Sequence, residues 1–487
     1  MNTPGRRGLS LVFVMLTGCS LQPAYEQPAA PVAATYPEGP AYRDASGETR
    51  LVAADIGWRE FLKDLRLQRM VEIALANNRD LRIAALNIAQ NEAQFRITRS
   101  AIFPQVAVGA SSVAQRAPPP TGRGEPNVVA HEYSAGLSAS WTLDFFGRLR
   151  SLNDQALQQY FGSAQAAKAT YILLVSQVTD QYLTMLAADE LLAVTRGTLD
   201  AAQKSYDLAT AHFEAGTGTE LSVRQAQTVV EQAKANYAAQ VRARAQAENA
   251  LVLLIGAPLP ADLPPGLPFN SQAFLADIPA GLPSEILERR PDIMEAEANL
   301  RGAYANIGAA RAAFFPAIDL TATLGTASIP LSGLFKGGSL AWSFVPSVTQ
   351  PIFEGGRLRA NADLAELQKD AFVALYERTI QGAFREVADG LAARGTYDDQ
   401  IAALERYVSA AQVYLDLSEL RFRTGVDSYL NVLTAQTNLY GAQQLLVATR
   451  LARLTNLVNL YQSLGGGWLE RTGDTARAAA DLSPRPR

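Results

Sequence analysis

RFRTGVDSYLNVLTAQ, residues 421–436, repeats a stretch met earlier in the chain. HFEAGTGTELSVRQAQ, residues 212–227, aligns with it without a gap. The two share Phe213/Phe422, Gly216/Gly425, Leu221/Leu430, Val223/Val432, Ala226/Ala435 and Gln227/Gln436, each pair 209 positions apart. The correspondence spreads outward. Gly147-Arg148-Leu149-Arg150 recurs as Gly356-Arg357-Leu358-Arg359, and Val178-x-Asp180 as Val387-x-Asp389. Phe103-Pro104 recurs as Phe315-Pro316, 212 positions on. Self-similarity over this length means one structural unit used twice. The copies span 58–257 and 284–466, separated by a Pro-rich connector at 258–283. Proline removes a backbone donor, so that connector cannot continue a helix.

Each copy has the same internal order. A helical stretch comes first, Phe61 to Ile102 and Ser284 to Phe314. Each stops at Phe-Pro, because the residue before proline disfavours the helical region. Two strands follow. In 132–143, Tyr133, Ala135, Leu137, Ala139, Trp141 and Leu143 alternate with Ser134, Gly136, Ser138, Ser140 and Thr142. In the second copy Ile318, Leu320, Ala322 and Leu324 form one face, and Leu340, Trp342 and Phe344 continue it. A weaker strand runs from Gln105 to Ser112. Such alternation fits a soluble sheet with one wet face, or a membrane barrel with an apolar exterior. Four strands cannot close a barrel, and an open edge in lipid leaves backbone groups unpaired. A barrel therefore requires further copies, and three chains give twelve strands.

Long helices complete each unit. No proline lies between Pro126 and Pro258, or between Pro351 and Pro484. Gly147 to Gly216 makes about 100 Å of helix at ~1.5 Å per residue. A return of the same length is expected from Thr219 towards Ile255. Val447, Leu451, Leu454, Val458 and Tyr461 form a heptad seam. The repeated stretch is then the reversal of each hairpin. Gly216 and Gly425 suit the left-handed residue that ends a helix. Thr219 in one copy, and Asp427 or Ser428 in the other, suit the cap of the returning helix. Phe213, Phe422, Leu221 and Leu430 staple the turns, or face a partner.

Composition removes several functions. Net charge is −4, which offers no basic surface to nucleic acid. Two histidines and one cysteine leave almost nothing for a zinc or iron site, and no cofactor is expected. There is no Walker loop, His-Glu-x-x-His or Gly-x-Ser-x-Gly, so no enzyme is indicated. The polar tail, 467–487, reads as flexible.

The single cysteine is informative by position. Arg6 and Arg7 precede an apolar run from Leu9 to Leu16, then Leu16-Thr17-Gly18-Cys19. This is a secretory signal over 1–18. Leu-Thr-Gly-Cys resembles the bacterial lipoprotein box, which implies cleavage before Cys19 and lipid on its sulfur, followed by an extended segment over 19–57. Ser20 after the cysteine points to the outer membrane.

The chain resembles the outer-membrane factor family of bacterial tripartite efflux pumps, the TolC and OprM kind, in its lipoprotein branch. The paired Phe-x-x-Gly…Leu…Ala-Gln hairpins carry the resemblance, with Gln-Pro-Ile-Phe-Glu-Gly-Gly-Arg (350–357), Asn-Ala-Leu-Val-Leu-Leu-Ile-Gly (249–256) and Leu-Gly-Gly-Gly-Trp (464–468). The resemblance implies a mainly α fold with a small membrane β part. It implies a homotrimer with a twelve-stranded β-barrel, four strands per chain, continuous with a long periplasmic α-helical barrel. Its partners would be outer-membrane lipid, a periplasmic adaptor (membrane fusion) protein and an inner-membrane RND-type transporter. The adaptor-docking tips would be Phe213, Gly216, Leu221, Phe422, Gly425 and Val426. The periplasmic gate would be Leu430, with Thr434 and Thr437 standing where that branch often has Asp and Arg. Asp427, beside it, is either a source of negative charge or a helix cap. The implied function is a passive exit duct for small molecules such as antibiotics. Metal ions or secreted protein are alternative cargoes, and a periplasmic scaffold lipoprotein without a channel is the alternative of a different class.

Overall fold

The computed structural model describes residues 20–42, 52–117, 128–272, 274 and 289–482. The expected signal over 1–18, Cys19, part of the connector and the last five residues lie outside them. The helices are α1 (Trp58–Phe61), α2 (Leu65–Asn77), α3 (Arg79–Ser100), α4 (Arg148–Glu214), α5 (Glu220–Ile255), α6 (Pro291–Ala312), α7 (Arg357–Arg423) and α8 (Tyr429–Ser463). The strands are β1 (Gln105–Ala117), β2 (Val128–Leu143), β3 (Ala317–Ser328) and β4 (Leu340–Thr349). Two compact units divide them, one comprising Met1–Ala29, Asn87–Ser163 and Glu295–Glu377, the other the remainder.

The first unit holds one antiparallel sheet in the order β1-β2-β3-β4. Its register keeps the alternation in phase across all strands. Val108 lies opposite Leu137, Leu137 opposite Leu324, and Leu324 opposite Trp342. Gly109, Gly136, Gly325 and Ala341 form a row on the other face. Pro346 sits within β4, opposite Leu320 of β3. Beneath, α4 packs on α6, where a Cβ at Gly162 would lie 3.3 Å from the Asn299 side chain.

The sheet ends are locked identically in the two copies. The Trp141 indole donates to the carbonyl of Ile102 at 2.9 Å, and the Gln350 amide donates to that of Phe314 at 3.0 Å. The pairs are related by the sequence repeat. Each side chain at a strand end satisfies a carbonyl left over where the preceding helix stops at Phe-Pro. The segment from residue 20 lies along the helices of this unit. Tyr25 donates to Glu297 at 3.0 Å, and Gln27 to Tyr376 at 3.0 Å.

The second unit corrects three expectations. The first helical stretch is not continuous, because it breaks at Asn78. The Asn78 carboxamide oxygen accepts the Leu81 amide at 2.9 Å and so starts a new helix, while its nitrogen donates to the Leu254 carbonyl at 2.8 Å. Arg290 plays the equivalent part before Pro291. It donates to the Ser463 carbonyl at 3.1 Å and pairs with Asp292 and Glu386 at 2.7 and 2.8 Å. The returning helices, with 36 and 35 residues, are about half as long as the 67-residue helices before them. Gly256, at φ 71°, ends α5 hard against the Asn77 carbonyl. Residues 468–482 are not a free tail. Trp58 and Arg59 donate backbone hydrogen bonds to Leu469 and Glu470 at 2.9 and 3.1 Å, and the Trp468 indole donates to Arg477 at 3.2 Å.

Asp64 organises the α2 end of this unit. It is buried and accepts from the amides of Arg66, Leu67 and Leu267, the Tyr182 hydroxyl and the Gln272 amide, at 2.8–3.4 Å. One carboxylate thus caps α2 and ties α4 and the connector to it.

Candidate functional site

In a soluble sheet the apolar face is the covered one. Here it is bare. Val108 is 82% exposed, Trp342 74% and Phe344 58%. Leu137, Leu324, Leu340 and Val348 on the same face are also exposed. The opposite face is lined by hydroxyls that pair across strands, Ser111 with Ser134 at 2.8 Å and Thr323 with Ser343 at 2.6 Å. Thr142 donates to Asp319 there at 2.6 Å. At one point on this face β2 and β3 come unusually close. A Cβ at Gly325 would lie 2.3 Å from the Ala135 carbonyl oxygen and 2.6 Å from the Gly136 Cα. The strands close together on that side, and only glycine permits it. Within the chain the outer edges of β1 and β4 pair with no described strand.

The hairpin reversals lie in the second unit and have the same backbone. The amides of Thr217 and Gly218 donate to the His212 carbonyl, each at 2.9 Å. Those of Val426 and Asp427 donate to Arg421 at 2.9 and 3.3 Å. Gly216 and Gly425 have φ of 72° and 71°, the left-handed conformation that closes a helix end. Side chains then distinguish the two. In the first, the His212 ring meets the Thr217 hydroxyl at 3.0 Å. In the second, Arg421 donates to Asp427 at 3.0 Å.

The predicted tip residues separate into two groups. Phe422 is half-buried and meets the rings of Tyr429 and His212 edge-on, at 5.4 and 5.8 Å. It belongs to a core of Ala209, Ala226, Leu415, Tyr429, Val432 and Leu439 that joins the two hairpins. Phe213, Leu221 and Val426 are exposed. Thr219 caps α5 through the Ser222 amide at 3.2 Å. Ser428 occupies the cap position of α8 without a side-chain bond, so it does not close that helix as expected. The Asp427 carboxylate is held by Arg421, which lowers its pKa, and also accepts the Ser428 amide. Its charge is therefore paired rather than free.

Leu430, Thr434 and Thr437 lie on one exposed face of α8, which continues through Gly441 and Leu445. No charged residue occurs between Tyr429 and Thr449. The Thr434 and Thr437 hydroxyls donate to their own helix, to the carbonyls of Leu430 and Leu433 at 2.9 Å each. Their donor capacity is spent, so each can only accept from elsewhere. Between the hairpins, a groove of about 720 Å³ carries Asp200, Lys204, Asp416, Glu419 and Arg423 on its walls.

Sequence reasoning did not give Gln436 a role, although the repeat contains it. Its amide donates to the Ser205 hydroxyl at 3.0 Å, in a buried position between the hairpins. Tyr429, fully buried next to the reversal, was also missed.

Comparison with known proteins agrees with this layout. A family model described as outer membrane efflux protein matches residues 70–257 and 282–466, one segment per copy. The toluene efflux pump outer membrane protein TtgC of Pseudomonas putida is 47% identical, over 98% of each chain. Outer membrane protein OprJ of Pseudomonas aeruginosa is 44% identical, over 95% of this chain and 96% of its own. The open state of the MtrE outer membrane channel of Neisseria gonorrhoeae superposes with a TM-score of 0.83 at 39% identity, covering 94% of this chain and all of that one.

Proposed function

Because the chain belongs to the outer membrane efflux protein family, we propose that three copies pool their sheets into a twelve-stranded barrel through the outer membrane, with the long hairpins forming the duct beneath. The protein is the outer-membrane channel of an efflux system. The observation that carries the assembled form is the sheet. It has an uncovered apolar face, a hydroxyl-lined face and two open edges. In lipid an open edge costs several kcal/mol per unpaired group, and joining β1 of one copy to β4 of the next removes both. Small barrels of about eight strands fill with their own side chains, whereas twelve leave a wet lumen.

The duct is passive and not an enzyme; energy comes from an inner-membrane RND-type transporter reached through a periplasmic adaptor. The exposed Phe213, Leu221 and Val426 and the groove between the hairpins suit an adaptor's helical hairpin, read by its apolar anchors. Gly216, Gly425 and Phe422 shape the turns that present them. Leu430 forms the narrowest apolar ring of the closed duct, with Thr434 and Thr437 as uncharged acceptors above it. Cys19 carries the lipid anchor. Small solutes such as antibiotics are the cargo, in keeping with a relative named for toluene. Purified protein in planar bilayers tests the reading: discrete single-channel conductance steps are expected, and lipid-bound protein that never conducts refutes it.

A further inference from the structure

Two residues stand out for exposure without any role in the sheet. Ile352 and Phe353, just after β4, are each 89% exposed. The internal repeat shows what their counterparts do. Their equivalents are Leu143, the last residue of β2, and Asp144, just after it, and β2 has a neighbour, β3, in its own chain. There the junction is closed. Phe146 after β2 stacks on Phe315, which precedes β3, with ring centroids 4.7 Å apart and planes at 21°. Leu143 is half-buried beside it.

The second copy has the same two halves and cannot join them within one chain. Phe103 precedes β1 as Phe315 precedes β3, and is 56% exposed. No ring contact involves Phe103 or Phe353 among the described residues. The position equivalent to Phe146 is Gly355, so an aromatic after β4 is available only at Phe353. Strands alternate in direction across the sheet, so the start of β1 and the end of β4 lie at the same end. When β4 of one copy pairs with β1 of the next, these residues arrive at one junction.

We infer that Ile352 and Phe353 seat on Phe103 of a second copy, forming an aromatic joint that repeats between subunits the Phe146–Phe315 stack found within each. The joint rests on the three-copy reading and specifies which residues meet. The in-chain joint and its copy between chains alternate round the ring at the level where helices become strands. Stacked aromatic pairs contribute beyond the area they bury. Each joint also covers apolar surface that one chain leaves in water.

The test uses the full-length lipoprotein carrying Phe103→Cys and Phe353→Cys together, with each single variant as control. A short bis-maleimide is added to detergent-extracted material, and native mass is measured on the same sample. Covalent dimers and trimers are expected from the double variant only. A trimeric particle without cross-linking overturns the joint and leaves the three-copy reading standing, Phe353 then facing lipid. A monomeric particle overturns both. Phe353→Ala serves as a second readout. It keeps the strands intact and should lower by several degrees the temperature at which a detergent-resistant trimer separates. An unchanged temperature counts against the joint.

Discussion

Replacing Gly325 with alanine tests the close approach of β2 and β3 directly. The new Cβ would lie 2.3 Å from the Ala135 oxygen and 2.6 Å from the Gly136 Cα. Both are backbone atoms of the neighbouring strand, so no side chain can rotate away. A normal carbon–oxygen contact is roughly 1 Å longer, and strands spaced about 4.8 Å apart must separate or flatten to provide it. Overpacking of this kind costs typically about 1–3 kcal/mol. Gly109 is the control. It lies in the same row across the sheet, yet a Cβ there meets nothing within 4 Å. Gly325→Ala should lower the midpoint of urea-induced unfolding in detergent and reduce the yield of conducting channels, whereas Gly109→Ala should leave both unchanged. Equal behaviour of the two variants would refute the claim that the Gly136–Gly325 contact admits only glycine.

Other predictions follow from single groups. Burial raises the Asp180 carboxyl, whose Oδ1 has no hydrogen-bond partner among the described residues, from its ordinary 3.8 to about 7. Folding then takes up a proton, so this group lowers stability increasingly as pH rises from about 4 through 7. Asp180→Asn should stabilise at pH 8 by up to about 4 kcal/mol, at ~1.4 kcal/mol per pH unit, and the gain should vanish near pH 4; denaturant midpoints across that range measure it. Asp64→Ala leaves the Tyr182 hydroxyl and several amides without their acceptor, and at ~1–3 kcal/mol per stranded buried group should cost several kcal/mol on the same measurement. Leu430→Ala should admit large antibiotics into cells expressing the protein, seen as lower inhibitory concentrations; unchanged entry removes Leu430 from the gate. Gln436→Leu strands the Ser205 hydroxyl and should cost about 1–2 kcal/mol while leaving conductance steps intact.

The repeat and the strands were legible because their signals are periodic and local. A two-residue alternation fixes which face each side chain takes, and the observed register preserves it from β1 to β4. The reversal glycines were legible because φ near 70° is open to few other residues. Other features depend on distant partners. The break at Asn78 needs the Leu254 carbonyl, 176 residues away, although Arg290-Pro291 in the second copy carried a visible stop. The unequal arms of each hairpin depend on what the longer helix meets; the early part of α4 packs on α6 instead of on α5. At the candidate gate, sequence showed hydroxyls in place of charges but not that both donate to their own helix. Likewise Asp427 offered a negative charge until Arg421 was seen to hold it.

The central claim is that one chain supplies four strands of a closed twelve-stranded wall. Native mass spectrometry of the detergent-extracted protein tests it most directly. A particle of three chains, dissociating to single chains only when the sheet unfolds, is the result expected. A folded particle of one chain, its β1 and β4 edges free and its apolar face in detergent alone, would contradict it.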